Sequence, residues 1–309
     1  MLKKRAIRKI FITTLTAFVL FVLYSIPNIV TNDNVLKTNL EVEYITNLGT
    51  NNIYLLDKNN YLVKTKILVN SNNKEEQIRL ILDNLVKNNN SKYPNGLTGV
   101  IPEEVKILDI NYDEGYVSID FNNKINKMEQ SAKEKMVEAI VYSIIDLGKI
   151  KGVVITSDKK VLDGFNKIID KSIGINNKYD IKSRNNINKV VIYYIEKIDG
   201  NLYYVPVTRY LNDSRDKVEI IVEELSSSYI YEPNLMSFLS NNAKLLSYSE
   251  KENVMLLEFN NAIFEKNSKL VEEVKYSLAY SIFDNYDVKE VLIETSGNKK
   301  ELISKKDLP

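Results

Sequence analysis

The string IDFNN, residues 119–123, returns as LEFNN at residues 257–261, with the same aromatic and the same two asparagines. This match is the centre of a longer register. Aligned without gaps at an offset of 138, YPNGLTGVIPEEVKIL (93–108) faces YEPNLMSFLSNNAKLL (231–246), and YSIIDLGKIKGVVI (142–155) faces YSIFDNYDVKEVLI (280–293). Tyr93/Tyr231, Lys106/Lys244, Phe121/Phe259, Ile125/Ile263, Tyr142/Tyr280, Asp146/Asp284 and Val153/Val291 are identities at that spacing. A repeat of this size is a whole domain, far beyond the roughly 20–50 residues of solenoid and propeller units. The chain is a tandem duplication.

Both copies follow one grammar. NIYLLD (52–57) and YLVKTKILV (61–69) read as strands, as do VVIYYIE (190–196) and LYYVPVTRYL (202–211). A helix follows, with Ile78, Ile81, Leu82 and Leu85 on one face, or Val218, Ile221, Val222 and Leu225. VKILDIN and YVSIDF predict a hairpin turning at Asp113-Glu114-Gly115, and AKLLSYS and VMLLEF one around Glu252-Asn253. A longer helix comes next, carrying Met136, Ile140, Ile144 and Leu147, or Leu270, Val274, Leu278 and Ile282. Ser131-x-x-Glu134 has the form of a capping box opening this helix in copy one. GVVITS or EVLIET closes each copy as a strand. The order ββαββαβ predicts an α/β fold of the α+β type: two tandem copies of a small mixed sheet, each covered on one side by two helices.

Composition narrows the chemistry. With 44% hydrophobic and 27% charged residues, most of the chain can bury a core. It has no cysteine, which excludes disulfides, thiolate metal sites, cysteine nucleophiles and a lipidated cysteine. It has no histidine, which removes the commonest general base and metal ligand. No cofactor site and no catalytic constellation are read from what remains. The asparagine-rich KNNNSKYPN (87–95) reflects compositional bias.

The charge is unevenly placed. Lys3, Lys4, Arg5, Arg8 and Lys9 form a basic cluster of five without an acid, so the formal +1 of the chain leaves −4 on the rest. A mildly acidic body has no footprint for nucleic acid. After the cluster, Ile10 to Ile26 contains no charged residue. As a helix this stretch is about 25 Å long, or roughly 31 Å if continued to Val30. No small-residue cleavage site follows, so an uncleaved membrane anchor is expected, with Ile10, Phe11, Phe18, Phe21, Leu23 and Ile26 in the apolar span. The positive-inside rule places the N-terminus in the cytoplasm and the bulk outside it. The expected divisions are residues 1–30 (basic stub and anchor), 31–50 (spacer), 51–165 (first copy), 166–186 (linker) and 187–304 (second copy). The linker contains the polar, irregular DKSIGINNKYDIKSRNN (170–186).

The motifs YVPVTRYL (204–211), GLTGVIPEEVKIL (96–108), VSIDFNNKI (117–125) and AIVYSIIDLGKIKGVVI (139–155) resemble those of the GerM-domain family of sporulation and germination proteins. The resemblance covers about residues 51–162 and 187–300. It departs at YLVKTK (61–66), where copy two has Val205-Pro206-Val207, and copy two lacks the Gly-Leu and Ile-Pro pairs of copy one. The best-studied type in the family is a lipoprotein; here, without a cysteine to acylate, a transmembrane helix would supply the tether. The resemblance implies domains similar to the ring-building motifs of secretion systems. It implies a non-enzymatic envelope protein of endospore formers, in the intermembrane space with the channel linking mother cell and forespore. Protein partners in the envelope are therefore expected, and peptidoglycan is the alternative ligand.

The residues give their own reading of the repeated string. On YVSIDF, alternation turns Val117, Ile119 and Phe121 to one face and Ser118 and Asp120 to the other. Phe121 and Phe259 are therefore core residues, while Asn122, Asn123, Asn260 and Asn261 leave the strand in a turn or cap. Tyr142 and Tyr280 belong to the same repeated core motif. The competing reading, Asp120 and Glu258 as the carboxylate pair of a glycosidase, needs residues of two domains within roughly 5–10 Å. Ser143 and Asp146, like Ser281 and Asp284, read as a solvated or capping face near a helix C-terminus. Tyr231, Met236 and Phe238, in the long connection of copy two, are candidates for a partner-binding patch.

Overall fold

The computed structural model describes residues 14–18, 49–87, 93–227, 233–264, 269–296 and 299–309. Met1–Asn47 and Leu48–Pro309 are separate units. In the first, residues 14–18 are helical and Phe18 is exposed. The remaining anchor residues and the basic cluster lie outside the described residues. No helix among the described residues is long and apolar enough to cross a membrane.

The second unit holds both copies. Copy one runs β1 (Thr50–Asp57), β2 (Leu62–Leu68), α1 (Lys74–Leu85), β3 (Leu97–Thr98), β4 (Ile107–Asp113), β5 (Tyr116–Phe121), α2 (Gln130–Ile145), β6 (Gly152–Ser157) and β7 (Lys160–Val161). After β8 (Lys178–Asp180), copy two runs β9 (Asn188–Ile198), β10 (Asn201–Leu211), α3 (Lys217–Ser226), β11 (Leu235–Met236), β12 (Leu245–Lys251) and β13 (Val254–Phe259). It ends with α4 (Glu272–Asn285), β14 (Glu290–Thr295) and β15 (Lys300–Ser304). The duplicated α+β architecture is present. The strands of each copy divide into two small sheets: β2-β1-β3 and β4-β5-β6-β7, then β11-β9-β10-β8 and β12-β13-β14-β15. In each four-stranded sheet of the β5 type, one parallel pair (β5/β6, β13/β14) is spanned by the long helix, as a parallel connection requires.

The short helices form where capping and periodicity agree. The Asn73 side chain accepts from Glu76 N at 3.1 Å to open α1, and Asp216 accepts from Val218 N at 2.8 Å to open α3. The expected faces Ile78/Ile81/Leu82/Leu85 and Val218/Ile221/Val222/Leu225 are buried. The capping box is not formed. Glu129 occupies the cap position of α2 without a side-chain bond, and Gln130 engages Glu134 along the helix at 2.9 Å. Ser131 lies inside the first turn and is exposed. The long helix is also buried more widely than one stripe, from Val137 through Ile144, because both β1 and β6 pack against it.

The hairpin turns fall where expected. Glu114 (φ 47°) and Gly115 (φ 91°) occupy left-handed conformations, matched by Glu252 (φ 49°) and Asn253 (φ 68°). Two such residues in succession suit the twist of a tight hairpin. Even the irregularity is duplicated, since the ladder slips between Ile107 and Asp109 and again between Leu245 and Ser247.

Phe121 and Phe259 are fully buried. Beyond each, one asparagine staples the chain. Asn122 accepts from Lys106 N (3.2 Å) and donates Nδ2 to Glu104 O (3.0 Å); Asn260 accepts from Lys244 N (3.1 Å) and donates to Asn242 O (3.0 Å). Asn123 and Asn261 are exposed and start short 3-10 turns.

Candidate functional site

The chemistry concentrates at the seam where β2 of copy one lies beside β10 of copy two. Contrary to a solvated face, Ser143 and Ser281 are buried. Each hydroxyl accepts a backbone N–H from the sheet packed on its helix: Tyr54 N to Ser143 Oγ at 3.1 Å, and Tyr193 N to Ser281 Oγ at 2.9 Å. These bonds fix the phenols over the helix ends. Tyr54 then donates to Asp146 Oδ2 at 3.0 Å, and Tyr193 to Asp284 Oδ2 at 2.6 Å. Tyr142 stands edge-on to Tyr54, and Tyr280 stacks on Tyr193.

The two aspartates meet at one cation. Lys171 Nζ is 2.8 Å from Asp146 Oδ1 and 3.3 Å from Asp284 Oδ1. Burial opposes ionisation of Asp146, but Lys171, Lys64 and the Asn52 amide outweigh it and hold the carboxyl down to about 2. Burial likewise opposes the charge on Lys171, and the two aspartates raise its ammonium well above the usual range. Burial first, then Asp146, pushes the Tyr54 phenol up, so it remains a donor.

Lys171 comes from the segment expected to be a polar, irregular linker. Residues 181–186 of that segment are irregular and exposed, but the part before them packs into the seam. Ile169, Ile175 and Asn176 are buried, and β8 adds to β10 in parallel. Asn176 Oδ1 accepts from Leu62 N (2.8 Å), and its Nδ2 donates to Leu62 O (2.9 Å) and Pro206 O (2.7 Å). One side chain thus satisfies strand-edge groups of both copies, which would be costly to bury unpaired.

A second pair of equivalent residues also faces its counterpart. Asp57 pairs with Leu97 in its sheet, and Glu196 pairs with Leu235 in the other. Both acids are buried. Asn59 Nδ2 donates to Glu196 Oε1 at 2.6 Å, while Asp57 Oδ1 accepts from Tyr61 N at 2.6 Å. Asp57 Oδ2 and Glu196 Oε2 find no donor among the described residues. Burial, then the hydrogen-bonding Asp57 carboxyl, pushes Glu196 up to about 7. Burial and the neighbouring Asp57 carboxyl thus favour the protonated form of Glu196.

Asp120 and Glu258 are not brought into a pair. Asp120 accepts from Thr156 Oγ1 (2.5 Å) and Lys159 N (2.9 Å) in its own sheet, and Glu258 accepts from Ser247 Oγ (2.8 Å) in another. Of the patch candidates, Met236 is half-buried and Phe238 is exposed, while Tyr231 lies outside the described residues.

The same duplication is found by comparison. The profile of the family Germane, sporulation and spore germination, matches residues 52–163 and again residues 191–301. The chain belongs to this family. It is 27% identical over 280 residues to the spore germination protein GerM of Bacillus subtilis (strain 168), covering 82% of this chain and 73% of that protein. The solved tandem GerMN domains of the sporulation protein GerM from Bacillus subtilis superpose with a TM-score of 0.74 at 22% identity, over 84% of this chain and 96% of that one. This likeness carries the fold.

Within the second Germane domain, the arginine of YVPVTRYL is a structural clamp. Arg209 is buried, bonds Asp180 Oδ2 through Nε (3.1 Å) and Nη2 (2.5 Å), and also pairs with Glu224. Between the two Germane domains opens a cleft of about 500 Å³, with Asp146, Asp284 and Lys171 in its lining. Lys171, Asn176 and the Asp57–Glu196 pair were not singled out from the sequence. The available signals were the identity of Asp146 with Asp284, and an acid ending two otherwise apolar strands, NIYLLD and VVIYYIE.

Proposed function

We propose that this sporulation and spore germination protein is a non-enzymatic assembly module. In this reading it is tethered to the membrane by its N-terminal segment, and its tandem Germane domains lie outside the cytoplasm, binding envelope proteins such as the channel joining mother cell and forespore. The observation that supports the reading is the seam. The carboxylate oxygens of Asp146 and Asp284 are taken up by Lys171 and two phenols, so these groups join the domains instead of standing free for acid–base work. Two domains locked in one orientation present a fixed surface, which suits stacking between neighbours. The test is deletion of the gene followed by affinity purification of a tagged, complementing copy from sporulating cells. Reduced spore yield with co-purifying channel proteins is expected. Normal sporulation without such partners would remove the proposal, and sedimentation of the protein with purified sacculi would favour peptidoglycan instead.

A further inference from the structure

The cleft at the seam holds more positive charge than its acids neutralise. Asp146 and Asp284 are engaged by Lys171, and Asp146 also accepts from Asn52 Nδ2 at 2.9 Å. Lys64, Lys305 and Lys306 also line the cleft, and none has an ion-pair partner among the described residues. Lys64 lies 3.9 Å above the Tyr280 ring and 5.4 Å from the Tyr193 ring, with no hydrogen-bond acceptor for its ammonium among the described residues. Lys305 stands over the Phe283 ring at 5.6 Å. Rings stabilise these cations only in part, and an ammonium in a crowded site gains most from an oxygen anion.

The rim shows which kind of oxygen the cleft accommodates. Lys66 Nζ donates to Leu308 O at 2.7 Å, and Tyr280 OH donates to Pro309 O at 2.5 Å. Two successive main-chain oxygens, of Leu308 and Pro309 of this chain, are thus bound by donors of both domains. The unpaired lysines lie beside that track. We infer that the cleft between the Germane domains receives an extended, acidic peptide segment of a partner protein, its carboxylates meeting Lys64, Lys305 and Lys306 and its backbone lying along the aromatic floor. This rests on the assembly reading and names the chemistry of the partner.

Lys64 supplies an independent readout. Burial, opposed by Asp146 and Asp284, lowers it to about 8. A carboxylate in the cleft moves its titration upward, which a peptide bound elsewhere does not do.

The experiment uses the full-length chain and a fluorescein-labelled peptide of alternating Asp, Glu and Gly, with its Asn/Gln counterpart and inorganic pyrophosphate as controls. The acidic peptide is expected to bind, weakening with added salt, and the neutral one at least about tenfold less well. Lys64→Gln, and the surface double variant Lys305→Gln/Lys306→Gln, each weaken binding several-fold, whereas Lys64→Arg retains it. The double variant lies on the exposed rim and tests the site even where Lys64→Gln impairs folding. Equal binding of the neutral peptide, unchanged binding by both Gln variants, or displacement by equimolar pyrophosphate overturns the inference. If it is overturned while channel proteins still co-purify with the wild-type chain, the assembly reading survives without this cleft.

Discussion

Asp146 and Asp284, equivalent residues of two copies, share the ammonium of Lys171 at 2.8 and 3.3 Å. Their side chains are only 11% and 14% exposed, against 29% for Lys171, so the two carboxylates are largely removed from water. Removing the cation leaves two carboxylates facing each other in a poorly solvated site. Lys171→Met is expected to destabilise the tandem domains by about 3–5 kcal/mol, measured by urea unfolding. Adding Asp146→Asn and Asp284→Asn should recover most of the loss. A single variant within about 0.5 kcal/mol of wild type would show that the triad does not hold the seam.

The acid pair gives stability a pH dependence of opposite sign to that of Asp146. Glu196 is raised from 4.5 to about 7 by burial and Asp57, with Lys58 pulling it back and Asn59 bonded to it. Between those values the native state holds a proton that the unfolded chain has lost, so stability falls as pH rises from 4.5 through 7. Asp146 is depressed from 3.8 to about 2, so its contribution is present above 3.8 and lost as pH falls toward 2. Urea midpoints taken from pH 3 to 9 should decline above 4.5, and Glu196→Gln should flatten that decline. An unchanged slope in the variant would place its origin elsewhere.

Asn176 occupies a left-handed conformation (φ 49°) and joins Leu62 to Pro206. Asn176→Ala removes these bonds, strands buried backbone groups and strains the chain, at a cost of about 2–4 kcal/mol. Hydrogen exchange at the Leu62 amide, which now donates to Asn176, should accelerate strongly. Persistent protection of that amide would contradict the assigned role.

Phe121 and Phe259 are buried in one continuous apolar core that includes residues of both copies. Phe121→Ala and Phe259→Ala should each cost about 3–5 kcal/mol. Because the core and seam are shared, each variant should shift a single unfolding transition of the tandem domains. Two separated transitions, each sensitive to one substitution, would mean that the copies fold independently.

The duplication was legible because it is written in local rules. Phe121 and Phe259 sit at the inward end of an alternating strand, and Ile78 and Val218 begin apolar faces at helical spacing. The capping box at Ser131 misled because Glu134 is satisfied along the helix by Gln130, a competition that spacing alone does not reveal. The polar run 170–186 hides a buried part, residues 174–176, that its composition does not mark. Asn176 and Lys171 look like solvated linker residues until the groups they satisfy are known, and those groups lie far away in the chain.

The sequence by itself determined that one α+β unit is present twice, that cysteine and histidine chemistry is absent, and that an apolar stretch follows a basic cluster. These follow from periodicity, composition and register, which are properties of neighbouring residues. Only the tertiary structure decided what the duplication accomplishes. It brings Asp57 to Glu196 and Asp146 to Asp284, and it lays Lys171 of the connecting segment between the two aspartates. Burial and electrostatics act through space, so the charge of a group at the seam depends on partners that the order of residues does not name.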